Sequence, residues 1–155
     1  MTPRTLFPAL ARAEAVTWAL LLLGMVLKYV TRTTELGVAV FGLVHGVVFL
    51  AYVLVTLLVW VDQRWSWRLG LVALLAALPP FATIWVERRV ERRGRLATRW
   101  RLAPGGEAPG HAGERVLARA LARPVAAAVV GGALVLLATV ALLVVGPPTP
   151  PGSGA

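Results

Sequence analysis

The chain has 155 residues, 58% apolar and 15% charged, with sixteen Lys and Arg against seven Asp and Glu for a net charge of +9. It has no cysteine, which excludes a disulfide-stapled domain, a thiolate metal site and a thiol enzyme; its mean hydropathy of +0.75 excludes a disordered chain. A soluble domain carries about 25% charged residues, so this chain is short of charge for its length, and the class that remains is a small integral membrane protein.

A helix needs about 20 mainly apolar residues to cross the hydrocarbon core. After an N-terminal segment over 1–12, the first candidate is 13–30, AEAVTWALLLLGMVLKYV. Two arginines precede it, as in a signal peptide, but KYVTRTTELG follows in place of a small-residue cleavage site, so it is expected to be a retained span. The second candidate is 36–61, interrupted only by His45. The third is 67–86, with Pro79-Pro80 inside it, and the fourth is 124–145, with no charged residue. Each is apolar all round, as lipid-facing helices must be. The expected fold class is all-α: a polytopic membrane bundle of four transmembrane helices, a three-span module over 13–93 with an appended fourth helix.

Short connections over 31–35 and 62–66 predict antiparallel neighbours for the first three helices. The connection over 87–123 carries ten arginines and four acids. If it is cytoplasmic, Lys28 and Arg32 share its side and both termini lie outside, in a bacterial plasma membrane. The tail over 146–155, GPPTPPGSGA, reads as disordered.

A sequence pI near 11.7 and Trp100 among arginines resemble a recipe for nucleic-acid contact. Membrane-surface attraction explains the same charge, at about 1 kcal/mol per basic residue beside an anionic leaflet. No nucleic-acid partner is therefore expected. Arg88, Arg89, Arg92, Arg93, Arg115, Arg119 and Arg123 are expected to contact anionic lipid. Within the basic region over 94–123, GERVLARALARP sets Arg115, Arg119 and Arg123 at four-residue spacing opposite Val116, Leu117, Ala120 and Leu121, a short interfacial helix. The intervening APGGEAPGHAG reads as a flexible linker, with His111 solvated.

Ionisable groups inside spans are costly and are default functional candidates. Glu14 falls near the outer end of the first span, where an interfacial pairing with Arg12 or a loop arginine is expected. Lys28 lies near the inner end, where its stem can snorkel. Tyr29, Trp18, Trp60, Trp65, Trp67 and Trp85 sit near span ends as belt residues. His45 lies about 13 Å into its span at the standard rise, too deep to snorkel. Gly42 and Gly46 flank it in a G-x-x-x-G pair that permits close helix approach, and Tyr52 falls on nearly its face. Lys28, His45 and carbonyls freed by Pro79 and Pro80 are expected at one level of the bundle. A single histidine without Cys or a second His is no metal site; neither metal nor cofactor is expected.

The strings AEAVTW…LLLGMVLKYV, GLVHGVVFLAY and ALPPFATIWVERR resemble a family of small bacterial integral membrane proteins with a histidine-glycine motif, domain of unknown function 3817. Glu14, Lys28, Tyr29, His45, Gly46, Phe49, Tyr52 and Pro80 fall at matching places over 9–93. Val26 stands where the family has proline and Ala15 where it has glycine, departures that loosen a kink and a close contact. The resemblance implies a three-helix module with a special histidine and brings no established activity.

The chain shows no nucleophile with a base, no paired carboxylates and no phosphate loop, so it is not expected to be an enzyme. The leading expectation is a non-enzymatic accessory or scaffold subunit that packs in the bilayer against a larger complex or its own copies. The alternative is a proton, ion or small-solute pathway built on His45 and Lys28 in an oligomer.

Overall fold

The computed structural model of the protein describes residues 1–145; the tail read above as disordered lies outside them. Six helices follow in order: α1 (Pro3–Met25), continued by a π-helical turn (Val26–Val30), α2 (Leu36–Asp62), α3 (Trp67–Leu75), α4 (Ala82–Arg92), α5 (Ala112–Ala122) and α6 (Pro124–Val145). Three stretches, Pro3–Val30, Leu36–Asp62 and Pro124–Val145, are long and apolar enough to cross a membrane.

The segment over 1–12 is not separate from the first helix. Thr2 caps α1, its hydroxyl accepting the Thr5 N–H while the Thr5 hydroxyl accepts the Thr2 N–H, and Pro3 occupies the first turn, where its missing donor costs nothing. With its π-turn α1 runs 28 residues, or about 42 Å against a hydrocarbon core of about 30 Å. Its first turns carry Phe7 and Ala11 fully buried, so they form part of the core.

α1 and α2 cross closest at Gly24 and Gly37. A Cβ on Gly24 would lie 2.8 Å from the Gly37 carbonyl carbon. The close approach expected at Gly42 and Gly46 is not made there: a Cβ on Gly42 would meet only ordinary contact with Leu21, and one on Gly46 would meet open space. Those two glycines instead line a crevice of about 300 Å³ with Thr139, Leu142 and Leu143 of α6. Spacing permits an approach, but the partner helix has to face it.

The third predicted span is not continuous. α3 has nine residues and α4 eleven, about 14 and 17 Å at the helical rise, and neither reaches across a bilayer. Pro79 and Pro80 lack the N–H groups needed to prolong α3. Phe81 adopts a left-handed conformation, φ 64°, and sends the chain back towards its starting side. For a bulky residue this costs on the order of 1–3 kcal/mol. Both feet of the resulting hairpin lie at one end. The Trp65 indole donates to the Arg95 carbonyl at 3.0 Å, and the Ala97 N–H donates to Gln63 Oε1 at 3.0 Å. The tip meets α1 halfway along, where the Trp18 indole donates to the Ala77 carbonyl at 3.3 Å.

The hairpin also corrects the expected sidedness. Met1 accepts from the Trp100 indole at 2.9 Å and Arg4 lies 3.9 Å from Glu91, so the N-terminus and the 87–123 connection share an end. The turn with Lys28 and Arg32 lies at the opposite end. α6 runs antiparallel to α2, from Pro124 beside Leu54 and Leu58 to Leu142 beside Val38. The connection after α4 folds back beneath the helix ends with Leu96 and Leu102 buried, while 104–113, most of the stretch expected as a flexible linker, is exposed.

Single cysteines test this topology in a chain that has none of its own. In oriented vesicles an impermeant maleimide is expected to label Ser66→Cys and Arg95→Cys from the same side, and Thr33→Cys from the other. Labelling of positions 66 and 95 from opposite sides would restore a fourth crossing.

Candidate functional site

Residues three, four and seven apart share a helix face, and three such faces converge at the hairpin. α1 brings Glu14, Thr17 and Trp18; α2 brings His45, Phe49, Tyr52 and Thr56; α4 brings Thr83 and Glu87. Tyr52 is fully buried and donates to the Ala73 carbonyl at 2.8 Å, with the Phe7 ring at 5.8 Å. Thr83 Oγ1 lies 3.0 Å from the Ala11 carbonyl and 3.0 Å from Glu14 Oε2. A hydroxyl has one proton to give, so both contacts are hydrogen bonds at once when the Glu14 carboxyl is protonated and donates to Thr83. Glu14 Oε1 and Thr56 Oγ1 are buried without a partner, which a neutral acid tolerates far better than a carboxylate.

Glu14 is thus an interior residue, fully buried, and not the interfacial one expected. Arg12 points elsewhere, to Glu87 at 2.9 Å. One turn beyond Glu14, the Thr17 hydroxyl donates to the Glu14 carbonyl at 2.9 Å and stands 3.0 Å from His45 Nδ1. With the Thr17 proton committed to that carbonyl, His45 donates through Nδ1. Trp18 covers the imidazole at a ring separation of 4.7 Å, and Phe49 lies at 6.4 Å. Lys28 does not join this group. It pairs with Glu35 at 3.5 Å and lies over the Tyr29 ring at the far end of the molecule. Pro79 and Pro80 stand at the hairpin tip, and the carbonyls met by side chains are those of Ala73 and Ala77, in α3 and just after it.

A second polar cluster holds the arginine-rich end together. Asp62, fully buried at the end of α2, accepts the Leu102 N–H at 3.1 Å and the Arg101 N–H at 3.1 Å. The Arg101 guanidinium meets Glu114, and Glu107 at 3.1 Å; Arg64 reaches the same two acids at 3.4 and 3.3 Å. Glu114 also accepts the Gly110 N–H at 2.7 Å. His111, expected to be merely solvated, caps α5 by accepting the Glu114 N–H at 3.3 Å. The Gly110 N–H and the Arg101 guanidinium together hold the Glu114 carboxyl down to about 2. By contrast Arg88, Arg89, Arg92, Arg93, Arg115, Arg119 and Arg123 are all exposed, and Arg89 lies over the Trp85 ring at 5.2 Å.

The residues that sequence reasoning passed over are Thr17, Thr83, Asp62 and the acids of the basic connection. Thr83 carried one legible signal, a hydroxyl three residues past a double proline in an apolar run. The acids were counted for charge when their neighbours in space were unknown.

Apolar stretches of crossing length, joined inside by hydrogen bonds and ringed at one end by arginine, define a multi-pass α-helical membrane protein. The chain belongs to the family described as "Domain of unknown function (DUF3817)", whose pattern matches residues 4–92, that is, α1 through α4. It is also similar to a Streptomyces coelicolor (strain ATCC BAA-471 / A3(2) / M145) protein named "Putative membrane protein SCO5905", 54% identical over 93 residues, which are 58% of this chain and 11% of that protein. The chain therefore spans only a small part of that relative's length. No solved structure matches it.

Two measurements probe the two clusters. In detergent, Glu14→Gln, which keeps a donor, is expected to unfold near the parent temperature, whereas Glu14→Ala and Thr83→Val lose about 1–3 kcal/mol. A loss in Glu14→Gln as large as in Glu14→Ala would mean that a charged carboxylate is required. At the arginine-rich end, Glu114 is held below its ordinary value of 4.5, so its contribution is complete above that value and is lost as pH falls through about 2. Amide exchange at Gly110, corrected for intrinsic rate, is expected to rise across that window and to be high throughout in Glu114→Gln.

Proposed function

We propose that the protein is a non-enzymatic membrane module that seats beside a larger membrane protein, with three crossings and a half-depth hairpin held rigid by its internal polar bonds. The observation that carries this reading is the relative in which the matched stretch is 11% of the chain: there the module is covalently carried by a much longer membrane protein. The polar residues support it, because Glu14, His45 and Tyr52 each bond to a neighbouring element and so fix the shape of the module. The pathway reading has less support, since Lys28 pairs with Glu35 at the far end while His45 bonds Thr17 beside the hairpin tip.

The membrane in this reading is the bacterial plasma membrane. Of the sixteen basic residues, all but Lys28 and Arg32 lie at the end that holds the N-terminus, the hairpin feet and the long connection. Positive residues stay on the cytoplasmic side, so that end faces the cytoplasm, and α6 ends at the opposite face. The exposed arginines of α4 and α5 then rest on anionic headgroups.

Affinity purification of the tagged full chain in mild detergent tests the proposal. A longer membrane protein is expected at near-equal amount, identified by mass spectrometry. Recovery of this chain alone, as monomer or homo-oligomer, would overturn it.

A further inference from the structure

α6 lies outside the family match and touches α2 closely at Gly131, where an added Cβ would stand 3.3 Å from Leu54 Cδ2. Between α2, α5 and α6 an apolar groove of about 650 Å³ remains open. Its walls include Leu54 and Leu58 of α2, Leu117 and Leu121 of α5, and Ala128 and Gly132 of α6. Along α2 it runs from Leu58 to Val47 and along α6 from Pro124 to Leu136, about 16–18 Å at the helical rise. That is close to half of a hydrocarbon core of about 30 Å. The groove is one leaflet deep, and it opens at the arginine-rich end.

The depth selects the occupant. A partner helix needs a surface running the whole core, whereas a phospholipid tail occupies one leaflet. The mouth selects the headgroup. Arg115, Arg119 and Arg123 are exposed on or just after α5, and no ion pair or side-chain hydrogen bond ties any of them among the described residues. Arg123 directly precedes Pro124, a lining residue. Trp100 and Met1 border the same mouth, and α5 turns Leu117 and Leu121 inward with its arginines outward.

We infer that this groove is a binding site for one anionic phospholipid of the arginine-side leaflet, with an acyl chain between α2 and α6 and its phosphate at the rim beside Arg123, which adjoins the lining residue Pro124. The site needs no protein partner, so it stands whether or not the module docks on a larger protein. Its recognition is ionic at the rim, from Arg123 just after α5, and apolar below, from Leu117 and Leu121.

Trp100 is a built-in reporter. The full chain is reconstituted in phosphatidylcholine vesicles containing a minor fraction of either brominated phosphatidylglycerol or brominated phosphatidylcholine. Quenching of Trp100 is read as the difference between the parent protein and Trp100→Phe. The brominated glycerol lipid is expected to quench at several-fold lower mole fraction, roughly fivefold per arginine engaged. Arg123→Gln is expected to equalise the two lipids, whereas Arg119→Gln, on the outward face of α5, is expected to leave the preference in place. Gly132→Phe, which places a ring where the structure has open space beside the glycine, is expected to reduce quenching by both. Elution position in detergent and helicity identify variants that keep the fold. Equal quenching by the two lipids in the parent protein would overturn the proposal, as would a preference that survives Arg123→Gln. Unchanged quenching in a folded Gly132→Phe would mean that the tail lies elsewhere.

Discussion

Hydrocarbon offers no partner to a backbone N–H or C=O, so every break in a helix at membrane depth must be answered by another part of the protein. This constraint organises the molecule. The α3–α4 hairpin turns at mid-depth on Pro79, Pro80 and Phe81, and side chains from neighbouring helices answer its carbonyls. The Tyr52 hydroxyl takes Ala73 and the Trp18 indole takes Ala77. Thr83 returns the favour by donating to Ala11 of α1. Polar side chains inside the bundle are thus arranged by the needs of one broken segment.

The two polar clusters obey opposite rules because their surroundings differ. At mid-depth the contacts are hydroxyl, imidazole, indole and carbonyl, with Glu14 Oε2 at 3.0 Å from the Thr83 hydroxyl. At the arginine-rich end, full charges are paired in a network, Glu107 and Glu114 with Arg64 and Arg101, and the Asp62 carboxylate accepts the backbone N–H groups of Arg101 and Leu102. The network ties the connection after α4 to the end of α2. Leu96 and Leu102 are packed beneath it, so a stretch rich in Gly and Pro becomes an ordered cap.

Length and apolarity made α2 and α6 readable, since a run of 22 or more apolar residues without a break has few other uses in a bilayer. The same measure misread residues 67–86, because a crossing helix and a hairpin that goes in and out need a similar number of apolar residues. The double proline marked a break without saying whether the chain bends or reverses. Only the partners of Trp65 and Gln63, at Arg95 and Ala97, decide that. Once the third segment is reversed, sidedness follows, and the error for the N-terminus descends from the error in one element. His45 was recognisable as too deep for solvent, while its partner Thr17 was invisible to periodicity. The level assigned to Lys28 placed it with His45; the π-turn and the pairing with Glu35 hold it at the far end. Gly42 and Gly46 had the right spacing on a face that looks towards α6, while the close crossing falls at Gly24 and Gly37.

A hairpin that stops halfway makes the molecule a taper. In the leaflet on the arginine side its cross-section contains α1, α2, α3, α4 and α6, whereas in the opposite leaflet only α1, α2 and α6 remain. Leu75, Leu78 and Phe81, exposed around the tip, form the floor on which tails of that opposite leaflet must settle. The taper is a geometric consequence of Pro79, Pro80 and Phe81, which end the hairpin beside the middle of α1.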